Sequence, residues 1–152
     1  MTIEVKLLND GEGLLFVGSG SSDAAESQYI YSLLQGKFDE SKVRFRIWDV
    51  TQQDGKADTS EQIRREASNS LEKSKWLPDQ IVAIVASESL RFGLARMWES
   101  LAHDTNWSTN VFLDMQEAER WICKEYSRVY DEALDRIHVT DTLLQPTTLG
   151  LS

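Results

Sequence analysis

The residues best placed to carry chemistry are Asp58-Thr59-Ser60, directly ahead of Glu61 and Gln62. Gln62 sits three residues after Thr59, the spacing of a capping box, which predicts a helix starting here and running to about Lys75 before Pro78 ends it. A hydroxyl at a helix amino terminus is exposed and lies near the positive end of the dipole. A phosphate added to Thr59 or Ser60 would be stabilised there while changing the charge of a binding surface. A plain cap is the stronger general reading of Thr59, and the phosphoacceptor is the more specific one.

Other constellations are weaker. Gly18-Ser19-Gly20-Ser21-Ser22-Asp23 breaks a predicted strand ahead of a helix and could offer amides to an anion, but it lacks the third glycine of G-x-G-x-x-G and the lysine of a P-loop. A turn with a helix cap accounts for it better. Asp104 could orient His103 as a base, yet the other histidine is His138 and no serine or cysteine context marks a nucleophile. The acids Glu117, Glu119, Glu125, Asp131, Glu132 and Asp135 alternate with Arg120, Lys124, Arg128 and Arg136, as on a solvated helix face, and give no metal site. No catalytic residue, cofactor-binding residue or metal ligand is expected, and an enzyme is a distant third reading. Of the five tryptophans, Trp98 and Trp121 lie on core-facing stripes, while Trp76 and Trp107 sit near element ends where a surface contact is the better reading. The aromatic residues could instead line an apolar ligand pocket.

Composition bounds the partners. A chain of 152 residues with 41% hydrophobic and 27% charged residues is long enough for one domain with its own core. The net charge of −9 opposes nucleic acid and anionic lipid surfaces. Cys123 is the single cysteine, so no internal disulfide forms, and a reducing, cytoplasmic setting is expected. No apolar run is long enough for a membrane span, and the amino terminus lacks a signal-peptide pattern.

The elements that position these residues follow from periodicity. Ile3 to Leu8 and Leu14 to Val17 alternate as two strands of a hairpin around Asn9-Asp10-Gly11-Glu12-Gly13. A helix from Ala24 to Leu34 precedes a third strand over Val43, Phe45, Ile47 and Val50. Ile81 to Ala86 is continuously apolar, the mark of a strand buried on both faces. A helix over Glu88 to Ala102 follows, with Gly93 and Ala95 allowing close packing, then a short strand from Val111 to Leu113. From Met115 helical spacing continues through Ala118, Trp121, Ile122, Val129, Ala133, Leu134 and Ile137, which predicts a long carboxy-terminal helix. Its stripe beyond Ile122 should bury against the domain or a second copy, making Val129, Leu134 and Ile137 candidate interaction residues. The domain is expected to span 1–139, with 140–152 a flexible or extended tail.

Ile81 to Ala86, Leu90-Arg91-Phe92-Gly93-Leu94-Ala95-Arg96-Met97, Val111-Phe112 and Glu117-Ala118-Glu119-Arg120-Trp121-Ile122 resemble, in this order, the carboxy-terminal half of bacterial STAS-like proteins related to stage II sporulation AA. Gly18 and Asp49 agree more loosely. The resemblance covers roughly Ile3 to Ile122. It implies an α/β fold: a mixed four- to five-stranded sheet packed with about four helices, here with an extended carboxy-terminal helix. It also implies a non-enzymatic module that binds proteins. Anti-sigma factor antagonists of this class carry Asp-Ser-Ser-Gly where a kinase phosphorylates a serine. The matching place here reads Asp58-Thr59-Ser60-Glu61, with a carboxylate where the family has glycine. The same broad group is compared with CRAL-TRIO lipid-transfer domains.

Two functions are therefore expected to compete. One is a regulatory protein-interaction module, with an unnamed protein partner or a second copy, phosphorylated at Thr59 or Ser60 and using Asp58, Trp76, Trp107, Val129, Leu134 and Ile137 as surface. The other is a carrier for a small apolar ligand or lipid.

Overall fold

The computed structural model describes residues 2–20, 30, 32–53, 77, 79–88, 93 and 105–148. Alternating burial along Thr2–Leu8 makes β1, and the chain reverses through Asn9–Gly11 into β2, Gly13–Gly20. Asn9, Asp10 and Gly11 all take positive φ, the conformation that Asn, Asp and Gly tolerate best. The expected break at Gly18, Ser19 and Gly20 does not occur: β2 runs on through them, with Gly18 paired to Ile3 and Ser19 to Thr2. Three further strands, β3 (Phe45–Gln53), β4 (Ile81–Val85) and β5 (Ser108–Phe112), lie parallel to β2. Every residue of β4 is buried, as its unbroken apolar run requires.

The helix α1, Met115–Tyr130, begins where Asp114 accepts a hydrogen bond from the Gln116 amide at 2.7 Å. It buries Ala118, Ile122 and Tyr126 across β3, β4 and β5. The expected continuation to Ile137 does not form. Asp131 adopts the left-handed conformation, φ 54°, and its amide closes on the Ser127 carbonyl, which terminates the helix one residue earlier. Val129, Leu134 and Ile137 nevertheless pack against the cluster beneath α1, so the apolar residues past Ile122 serve the domain itself.

The segment read as a tail is β6, Val139–Thr148. Its threonines, Val139, Leu143 and Leu144 suit an edge strand, and it pairs antiparallel with β1 through several register shifts. Pro146 is tolerated there because an outer edge needs no donor. The sheet order is β5-β4-β3-β2-β1-β6. Six strands replace the four or five expected, and among the described residues α1 is the one complete α-helix, so the expected element counts are not reproduced. Ile30 and residues 32–34 are helical, as are Glu88 and Gly93. Gly93 is exposed with open space where a Cβ would stand, so it makes no close packing contact.

Two faces follow from strand alternation. The α1 face carries Leu8, Phe45, Ile47, Ala83 and Val85; the opposite face carries Ile3, Val5, Phe16, Trp48, Val82 and Ile84, with Ile30 and Leu34 over part of it. Gly13 is required on the α1 face because a Cβ there would overlap the Phe45 ring of the neighbouring strand.

Candidate interaction site

The carboxyl ends of β2 to β5 point the same way, and in parallel sheets this edge is where ligands and partners meet the connecting loops. At the exit of β3 the ladder slips: Val17 pairs with Asp49, but Ser19 pairs with Gln52, so β3 holds one extra residue. Such a bulge bends the strand and re-aims the residues beyond it. Asp49 fixes the bend, since its Oδ1 accepts from the Thr51 amide at 3.1 Å and from the Thr51 hydroxyl at 2.7 Å. The sequence then leads through Asp54–Ala57 into Asp58-Thr59-Ser60. Leu113, 43% exposed at the end of β5, lies on the same edge.

The expected surface residues separate. Asp58, Thr59, Ser60 and Trp76 lie outside the described residues. Trp107, read as a surface contact, is 6% exposed: it packs with Val50, Val82, Ile84 and Val111 and donates its indole N–H to the Leu77 carbonyl. A tryptophan so placed fills the core and satisfies its one polar group there. Val129, Leu134 and Ile137 are half-buried in the cluster under α1. The Trp48 ring stacks on Phe16 at 4.0 Å, and Trp121 packs on Phe112. Among the described residues no three His, Cys, Asp or Glu side chains come together as a metal site.

The opposite, amino end of the strands holds a cluster that periodicity did not reveal. Arg44 donates to the Tyr126 hydroxyl at 2.7 Å and to Glu132 at 3.0 Å, while the Tyr126 hydroxyl donates to Glu12 at 2.7 Å. The guanidinium also stands 4.4 Å from the Tyr130 ring centroid, and the Tyr130 hydroxyl donates to the Asp79 carbonyl. Burial and then the Glu12 carboxylate push Tyr126 up to about 12. Burial opposes the charge on Arg44, but its bonds to Tyr126 and Glu132 outweigh this and hold it above the ordinary arginine value. Every polar group here answers another, so the cluster latches the end of α1 to the sheet. The i, i+4 pair Tyr126 and Tyr130 was a visible signal; its partner Arg44, many residues away, was not.

No protein-family model matches the chain, nor does any curated protein. Among solved structures it is similar to that of an uncharacterised protein of the DUF3478 family from Shewanella loihica PV-4, described as having a SpoIIAA-like fold. The two are 20% identical, the match covers 80% of this chain and 92% of that one, and the TM-score is 0.55. A likeness at this identity bears on architecture, and there it agrees with the resemblance carried by Ile81 to Ile122: the chain has a SpoIIAA-like fold.

Proposed function

We propose that the chain is a non-catalytic, STAS-type regulatory module of the bacterial cytoplasm. It engages a protein partner through the carboxyl edge of β2 to β5 and is controlled by phosphorylation at Thr59 or Ser60. The observation that carries this reading is the bulged exit of β3, braced by Asp49 and Thr51, with four residues of sequence between its end at Gln53 and Asp58-Thr59-Ser60. The SpoIIAA-like fold supports the module reading. Glu61 sets the size of the response: a carboxylate beside a new phosphate raises the repulsion a modified site must overcome. The carrier reading draws no support from the described aromatic residues, which pack on one another or into the apolar clusters of the sheet. Phosphopeptide mass spectrometry of the protein isolated from its own cells tests the switch, and the expected result is a modified Thr59 or Ser60. Peptides that remain unmodified across growth conditions, with Thr59→Asp and Ser60→Asp variants capturing the same partners as the parent, would overturn it.

A further inference from the structure

The sheet is six strands wide, but α1 covers its face only over β3, β4 and β5. On the same face of β1, β2 and β6 no described helix packs substantially. By register this open half carries Thr2, Glu4 and Lys6 from β1 and Leu15, Val17 and Ser19 from β2. All six are half-buried, with Leu15 and Val17 the apolar pair at its centre. One wall is the flank of α1 that turns away from β5. Trp121 and Arg128 reach toward β5, through Phe112 and Ser108, so Glu119 and Cys123, on the other side of the buried stripe, face the open half. The segment from Asp131 to His138 closes the amino end: Asn9 holds it through the Arg136 carbonyl and the His138 amide, and Leu134 and Ile137 pack inward. Three strands span roughly 10–14 Å, and a helix with side chains is about 10–12 Å across.

The charges on this shelf are unbalanced. Lys6 is bound to Glu4 at 3.1 Å. Glu119 has no hydrogen bond or ion pair among the described residues, although burial raises it above the usual carboxylate range. Burial, then the charges of Glu119 and Asp135, raise the Cys123 thiol. Asp49 stands beside Val17 in register. The basic residues of α1 do not answer them: Arg120 and Lys124 are exposed away from the sheet, and Arg128 binds Glu125 and Ser108.

We propose that this shelf docks an amphipathic helix of a partner protein, apolar where it meets Leu15 and Val17 and basic where it meets Glu119. It lies beside α1 and completes the helical layer over the sheet. A second copy of this chain is the poorer occupant, because it brings another −9 of charge, and an anionic membrane is opposed by the same sign. The inference rests on the interaction-module reading and gives it a second face, separate from Asp58-Thr59-Ser60.

The single cysteine supplies the test. A synthetic Leu/Lys amphipathic helical peptide is titrated onto the full chain, with its Leu/Glu counterpart as control, and alkylation of Cys123 by iodoacetamide is timed at alkaline pH. The Leu/Lys peptide is expected to bind and to slow alkylation, while Glu119→Lys and Val17→Glu each weaken it about tenfold or more. Glu119→Gln, which changes no strand residue, should weaken it less and keeps the test valid if Val17→Glu unfolds the protein. Unchanged alkylation at saturating peptide, equal binding of the Leu/Glu peptide, or affinity indifferent to Glu119→Lys overturns the proposal. So does self-association that shields Cys123 without peptide. None of these failures touches Thr59 and Ser60, whose modification and partner capture test the interaction-module reading separately.

Discussion

The two ends of the parallel strands are built on different principles. At the amino end Arg44, Tyr126, Tyr130, Glu12 and Glu132 satisfy one another and bind three distant pieces of chain into one cluster. At the carboxyl end a bulge held by Asp49 and Thr51 shifts the register of β3, and Leu113 stands exposed. Among the described residues the first end joins distant pieces of chain through its polar groups, while the second holds only the local Asp49–Thr51 bonds. Substitutions should therefore cost stability at the first and binding at the second.

The largest effect belongs to Tyr126→Ala. Tyr126 is 2% exposed, packs on Phe45 and Tyr130, and links Arg44 to Glu12. Losing the ring leaves a cavity and removes both hydroxyl bonds, although Arg44 keeps Glu132 at 3.0 Å and Glu12 at 3.5 Å; the expected cost is about 3–5 kcal/mol by urea denaturation. A loss under about 1 kcal/mol, the worth of a single hydrogen bond, would break the contrast, since the amino end would then be no latch.

The next effect is a pH dependence. The folded state holds Tyr126 above its ordinary value near 10, at about 12, so folding favours the neutral phenol. The folded protein then binds more protons than the unfolded chain between those values. The contribution is complete below about pH 10 and is lost as pH rises toward 12. Tyr130 is raised in the same direction by burial. In Tyr126→Phe the loss of stability across this window should be shallower than in the parent; an identical slope would place the titration elsewhere.

Most of this architecture was legible, because it is built from local signals. The hairpin at Asn9-Asp10-Gly11, the buried strand Ile81–Val85 and the start of α1 at Met115 are all written in adjacent residues. The misreadings share a cause. Leu134 and Ile137 keep helical spacing after Asp131 has ended the helix, because they pack inward from an irregular segment where spacing carries no helical meaning, while Ala133 is exposed. The residues of β6 became a strand only because β1 offered an unpaired edge, and that edge is set by the order of the whole sheet. Trp107 looked peripheral in sequence and is central in space, since its partners Val50 and Val82 come from other strands. At the candidate site the Thr59 and Ser60 reading rests on capping chemistry and lies outside the described residues, whereas the β3 bulge depends on a register between strands that no single segment encodes.

The smallest expected effect sharpens the contrast most. Thr51→Val keeps the shape of the side chain and its preference for a strand, but it removes the hydroxyl that binds Asp49 at 2.7 Å. The Thr51 amide still reaches Asp49 at 3.1 Å, so the carboxylate keeps one partner and lies close enough to water to regain another. The expected cost is about 1 kcal/mol, the net worth of one hydrogen bond. If the carboxyl end serves binding, this substitution loosens the exit of β3 and weakens partner capture out of proportion to that cost. Equilibrium denaturation and capture assays on the same preparation separate the two quantities. A stability loss rivalling that of Tyr126→Ala, with capture unchanged, would mean that both ends of the strands do the same structural work.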